Sequence, residues 1–199
     1  MKNIGSRHLL AYNSFGSRAT KAVTRPIPDG GKGRPAAAPR LGDRDLARKL
    51  IFTPIGRVRS PFKRPEDIPP PAFAPPGFFD RSRGELRIFK KYEPALKDTE
   101  GFSHLVVIFA FHKSRGFRLQ TVPPGQAELR GIFATRSPHR PNPLGLTVVR
   151  VLGRRGTVLR VAGLDIVDAT PILDIKPLTE RDCPARVRTG WLKKRPSAR

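Results

Sequence analysis

Across its 199 residues the chain carries 39 lysines and arginines against 16 aspartates and glutamates, a formal net charge of +23. The length suits one hydrophobic core with tails, and so basic a surface attracts polyanions, nucleic acid first among them. No apolar run approaches the roughly 18 residues that cross a bilayer, and the single cysteine, Cys183, excludes an internal disulfide or a cysteine-built zinc site, which fits a reducing, cytoplasmic setting with no metal expected.

The opening MKNIGSRHLLAYNSFGSRATKAV contains no acid and mixes Arg, Lys and Ser as organelle transit peptides do, but it lacks the continuous apolar region of a secretion signal. Residues 1–52 hold eleven basic and three acidic side chains around PIPDGGKGRPAAAPR, too little apolar surface to offset ordering entropy, so a disordered basic arm is expected. Its one helical stretch is Gly42 to Phe52, where Asp43 can cap and Leu46, Leu50 and Ile51 share a face.

From Thr53 the texture changes to short β-branched, aromatic and aliphatic runs separated by turn residues, and one all-β barrel domain is expected over 53–192, with a basic tail at 193–199. Expected strands are Thr53 to Ser60, Gly84 to Tyr92, Ser103 to His112, Arg130 to Thr135, Leu146 to Gly156, Thr157 to Val167 and Pro171 to Leu178, with a short helix over Pro94 to Thr99. LVVIFAF is apolar on successive residues, which predicts a strand buried on both faces, by crossing the barrel or by lying under a dimer partner. Gly153-Arg154-Arg155-Gly156 between two β-rich segments predicts a hairpin. The proline-rich stretch between Arg59 and Gly77 cannot pair as a central strand and is expected as an ordered loop.

FATRSPHRPNPLGL, Phe133 to Leu146, poses the functional question. Pro138, Pro141 and Pro143 fix φ at three places, so little entropy remains to be lost on binding. Arg136, His139 and Arg140 project from this rigid loop, Asn142 can cap or donate, and Gly145 lets a backbone or ligand approach. A proline-braced turn with solvated arginines would read the same way. Asp165, Asp168 and Asp174 offer oxygen ligands in no known metal spacing, and aspartates at strand ends commonly accept backbone N–H bonds instead. Of the histidines, His104 lies inside an apolar run, whereas His112 closes one and is the better site candidate. No nucleophile elbow, Walker A or dinucleotide fingerprint occurs.

PIGRVRSPFKRPED, LKDTEGFSHLVVIFAFHKS, FATRSPHRPNPLGL and LDIVDATPILDIKP, in that order and spacing, closely resemble the TsaA-like family, whose studied members are TrmO-type S-adenosylmethionine-dependent tRNA methyltransferases. The resemblance covers about 130 residues, from Thr53 to near Trp191. It implies a β-barrel homodimer that holds S-adenosylmethionine near the subunit interface and methylates N6 of threonylcarbamoyl-adenosine beside the tRNA anticodon. By motif, the cofactor site would draw on His112, Lys113, Arg136, Leu146, Asp168, Ala169, Thr170 and Pro171, with the Arg136 to Asn142 loop shared with substrate.

Three positions depart from the family's pattern. Pro69, Pro70 and Pro71 stand where an Arg-Gln pair is common, Lys113 where glutamine is frequent, and Ala169 where glycine is common. Alanine adopts only negative φ cheaply, so the corner at Ala169 is expected to differ in shape and cofactor binding to suffer.

Methyl transfer to a delocalised N6 needs alignment and removal of one proton. Arg136 or Arg140 could polarise the carbamoyl carbonyl or bind the threonyl carboxylate, and Asp168 or His139 could take the proton. The basic arm, the Gly153 to Gly156 hairpin and the RVRTGWLKKRPSAR tail could contact phosphates, and Phe78, Phe79 and Trp191 could stack on bases or pack internally. A catalytically silent RNA-binding or regulatory protein of the same fold is the competing expectation, prompted by the altered Arg-Gln and glycine positions.

Overall fold

The computed structural model describes residues 50–71 and 73–192. The expected arm and tail lie outside them, apart from Leu50, Ile51 and Phe52; these are exposed and non-helical, so the expected helix does not reach its last three residues.

Eight strands occur among the described residues: β1 (Gly56–Arg59), β2 (Arg83–Ile88), β3 (His104–Ala110), β4 (Gln120–Thr121), β5 (Arg130–Gly131), β6 (Leu144–Arg155), β7 (Val158–Ala162) and β8 (Pro171–Pro177). Six close an antiparallel barrel in the order β1-β2-β7-β6-β3-β8, with β8 returning to β1 through Gly56↔Ile172 and Arg57↔Pro171. Closure leaves no long strand edge unpaired. β4 and β5 pair separately, and one four-residue helix, α1 (Phe78–Arg81), with five 3-10 turns makes the remaining regular connections.

Side chains alternate as strand geometry requires. Leu86 and Ile88 of β2, Leu105, Val107 and Phe109 of β3, and Leu159 and Val161 of β7 fill the barrel with Leu164, Ile166 and Ile172. Each such burial stabilises by about 1.5–3 kcal/mol. β3 corrects one of the two alternatives, since it is a wall strand of the barrel and does not cross it, and within this chain its pattern alternates between buried and half-buried residues. The outward Val106 and Ile108 instead sit opposite Val148 and Leu146 of β6, themselves exposed, so an apolar ladder runs along the outer surface.

The hairpin is present, but its turn lies at Gly156-Thr157, since Arg155 pairs with Val158. Arg154 and Arg155 therefore belong to β6. Gly153, at φ 142, takes up a bulge where the register shifts against β7, a conformation glycine reaches without steric cost. The expected strand from Arg130 to Thr135 stops at Gly131, because Ile132–Ala134 form a 3-10 turn in which the Thr135 hydroxyl donates to the Ile132 carbonyl at 2.9 Å. Likewise the second strand ends at Ile88 and gives way to a 3-10 helix over Lys90–Leu96, earlier than the expected helix at Pro94 to Thr99. The strand expected to reach Val167 ends at Ala162, where Gly163 turns the chain at φ 86.

Candidate functional site

The end of β3, the start of β6 and the start of β8 meet at one end of the barrel, as Ala110↔Leu144 and Phe109↔Ile172 show. Gly145 is buried against Phe109 on the neighbouring strand. A Cβ there would overlap the phenyl ring, so the close approach Gly145 permits is made by a core side chain.

One group of expected cofactor residues forms the corner that leads into β8. Ala169 has φ 61, so the left-handed corner is kept with an alanine in it, against the expectation of a changed shape. An L-residue there costs about 1–2 kcal/mol. The corner is held by Asp168 N–H to Phe62 O at 2.7 Å, Ala169 N–H to Val58 O at 2.8 Å and Val58 N–H to Thr170 O at 2.9 Å. The Asp168 carboxylate accepts from Ser60 N–H and from Lys63 Nζ, each at 2.8 Å. Enclosure opposes ionisation of Asp168, but the Lys63 bond and the Ser60 N–H outweigh it and hold the pKa below the ordinary carboxylate range. Asp168 is thus a brace between two loops and a weak proton acceptor. Lys113 joins the same brace, donating to Lys63 O at 2.7 Å.

His112 reaches the corner through Thr170. The buried Thr170 hydroxyl donates its one proton to Val167 O at 2.6 Å and therefore accepts from His112 Nδ1–H at 3.3 Å. Nε2 of His112 is left with its lone pair. Partial burial, then the charges of Lys113 and Arg57, hold the imidazole pKa below its usual value, so the ring is neutral at pH 7.

The proline loop forms the other group. Arg136 donates to Leu146 O at 2.6 Å, which joins two of the expected cofactor residues. Arg140 donates to Thr135 O at 3.2 Å and its own N–H to Pro138 O at 3.0 Å, and Leu144 N–H donates to Asn142 O at 2.7 Å, so the loop is pinned by its own backbone as well as by proline. The Ser114 hydroxyl donates to Pro138 O at 3.1 Å and accepts from His139 Nδ1–H at 3.0 Å. His139 then presents Nε2 as an acceptor. His139, Ser137, Arg115, Arg118 and Phe117 border a cleft of about 370 Å³. None of the expected cofactor residues borders that cleft.

Asp165 stands between the two groups. Its carboxyl bonds the buried Thr147 hydroxyl and lies near Arg136; enclosure of the carboxyl raises its pKa despite both partners. The residue as a whole is exposed. In sequence it is one of three aspartates that offer oxygen ligands, and nothing there marks its link to Arg136. The three are spread out: Asp168 is committed to Ser60 and Lys63, and Asp174 to Lys176 at 2.6 Å. Among the described residues no three His, Cys, Asp or Glu side chains converge on a metal geometry.

The aromatic residues offered for base stacking are engaged internally. Phe78 stacks on Phe62 and meets Phe79 edge-on, while Trp191 donates to Ala134 O at 2.9 Å under Arg130. Pro70 and Pro71 belong to a turn closed by Phe73 N–H on Pro70 O at 2.8 Å, with Pro69 just before it.

Residues 57–183, from the second residue of β1 to just past the last 3-10 turn, match the family described as the tRNA-methyltransferase O N-terminal domain. A probable S-adenosyl-L-methionine-binding protein of Pyrococcus abyssi is 43% identical over 150 residues, 75% of this chain and 79% of that protein. The tRNA (adenine(37)-N6)-methyltransferase of Escherichia coli is 39% identical over 137 residues, 63% of this chain, and the match spans 56% of the bacterial protein. A crystal structure of TrmO from Pseudomonas aeruginosa shares the fold with a TM-score of 0.59 at 33% identity, over 73% of this chain and 64% of that one.

Proposed function

Since the chain belongs to the tRNA-methyltransferase O N-terminal domain family, we propose that it is an S-adenosylmethionine-dependent methyltransferase acting on N6 of threonylcarbamoyl-adenosine beside the tRNA anticodon. The observation that carries this reading is the barrel end itself, where His112, the Asp168 to Pro171 corner and the Arg136-Leu146 pair come together on neighbouring strands.

The donor set fits the cofactor. A neutral imidazole lone pair at His112, held beside the left-handed corner by Thr170, suits a polar edge of an adenosyl group. When bound, S-adenosylmethionine supplies an electrophilic methyl group. What the chain contributes is positioning and proton handling. Arg136, kept in place by Leu146 O and near Asp165, and Arg140 bind the threonyl carboxylate or polarise the carbamoyl carbonyl. His139 takes the N6 proton on Nε2, because Ser114 fixes its other nitrogen as donor. Asp168, already bonded to Lys63 and Ser60, holds the corner and is assigned no proton.

The active unit in this reading is a homodimer. Its support is the outer ladder of Val106, Ile108, Leu146 and Val148, an apolar face adjoining the barrel-end group. The competing reading, a silent RNA-binding protein, loses one of its two motives, since Ala169 keeps the corner's left-handed form. Calorimetry of S-adenosylmethionine binding to wild type and Arg136→Ala tests the proposal. Losing an interaction with a charged group of about 1.5–3 kcal/mol weakens binding by roughly ten- to hundredfold. A wild type that binds no cofactor, even with tRNA present, sinks it.

A further inference from the structure

The outer face of β1, β2, β7 and the adjoining half of β6 is plated with arginine in register. Antiparallel partners share a face, and three rows of outward residues cross these four strands. The first row opposes Arg57 directly to Arg87 and ends on Arg155 across Val158. The second runs Arg59, Glu85, Arg160. The third flanks Ala162 with Arg83 and Arg150. All seven arginines are exposed. One acid stands among them, Glu85, whose carboxylate bonds Arg87 Nε at 2.8 Å, and among the described residues the other six arginines form no ion pair.

Such an arrangement opposes folding. Like charges directly opposite across a ladder are destabilising, and neighbouring strands stand about 4.8 Å apart with same-face residues about 6.7 Å apart along each. A bound polyanion would reverse that repulsion. The face also joins the site described above, because Arg57 pairs with Pro171, next to the Thr170 that bonds His112. Arg57 is close enough for its charge to act on the His112 ring.

We propose that this arginine face is the track along which the phosphodiester backbone of substrate RNA lies, running from the methyl-transfer corner across β1, β2 and β7. The inference rests on the methyltransferase reading for the identity of the RNA, while the track itself is argued from charge and register. Guanidinium forks suit phosphate oxygens. An anionic membrane is a poorer match, since surface-seeking faces insert apolar anchors and here Val158 and Ala162 are the apolar members, the latter 1% exposed. Sequence could not reveal the face, because its arginines come from four separate segments and align only through strand register.

The test measures binding of the full-length protein to bulk tRNA against salt concentration, for wild type and for the triple variant Arg59→Gln, Arg83→Gln, Arg160→Gln. These positions leave Arg57 and the corner untouched. Losing three phosphate contacts lowers the magnitude of the log–log salt slope by about two, at roughly 0.7–0.9 per contact. The equal-charge control Lys90→Gln, Lys91→Gln, Lys97→Gln leaves the slope at its wild-type value, and S-adenosylmethionine calorimetry with the arginine triple confirms an intact fold and corner. An unchanged slope in the arginine triple, or equal loss in both triples, overturns the track and leaves the methyltransferase reading standing if cofactor still binds. A wild type without cofactor binding whose slope still falls in the arginine triple keeps the track and removes that reading. Binding lost to anionic vesicles and retained to tRNA overturns the track in favour of a membrane.

Discussion

Ala169→Gly is expected to stabilise the protein. Ala169 sits at φ 61, and three backbone bonds, from Asp168, Ala169 and Val58, prevent it from relaxing to negative φ without breaking the junction between the corner and β1. Relief of about 1–2 kcal/mol of left-handed strain is offset by about 0.4–1 kcal/mol from the more flexible unfolded chain. Ala169 is exposed, so glycine gives up little packing. The net gain is about 1 kcal/mol, a rise in Tm of about 2–4 °C for a domain of this size, measured by calorimetric or fluorescence melting. The companion Ala169→Val should lower Tm, because a β-branched side chain tolerates positive φ worse than alanine. Because the corner is already left-handed, Ala169→Gly should leave cofactor affinity within about twofold, well under the 1.4 kcal/mol of a tenfold change. A Tm unchanged or lowered in Ala169→Gly, or unchanged in Ala169→Val, would refute the strained corner.

Four further outcomes follow from the geometry. Gly145→Ala places a methyl into the Phe109 ring and should cost about 1–3 kcal/mol, read as a Tm lower by several degrees; an unchanged Tm would mean Phe109 does not pack there. The depressed pKa of His112 means that, as pH falls through about 6.5, the unfolded chain takes up this proton first. Stability contributed by His112 is therefore present above about 6.5 and lost as pH falls toward the folded value. Melting from pH 8 to 5.5 should show this loss, and His112→Gln, which removes the group facing Lys113, Arg57 and Thr170, should flatten it. Asp168 acts lower, since its depressed pKa makes its contribution present above about 3.9 and lost only in stronger acid. Val148→Arg puts a charge into the outer apolar ladder and should shift sedimentation from the proposed dimer to monomer; a variant that sediments as a dimer like the wild type excludes this face as the interface.

Local chemistry made much of the fold legible. β-branched runs marked β1, β3, β6, β7 and β8 because branched side chains suit a pleated surface, and glycines marked the hairpin because positive φ is cheap only for them. Motif order also marked His112, Arg136, Leu146 and the Asp168 to Pro171 stretch, and the structure brings these to one barrel end. What sequence left open depended on partners far along the chain. LVVIFAF has the same composition whether one face or both are buried, and only the ladder with β6 and β8 shows its outer side half-buried within the chain. Asp168 and Asp165 look alike in LDIVDATP, yet Lys63 lies 105 residues before the first and turns it into a brace, while Thr147 and Arg136 meet the second. The arginine face exists only because closure sets four strands side by side with a period of two, so that arginines scattered between Arg57 and Arg160 share one surface. Composition and spacing specify what each segment can be; which segments are neighbours, and so which charges and carboxylates meet, is decided by register and burial.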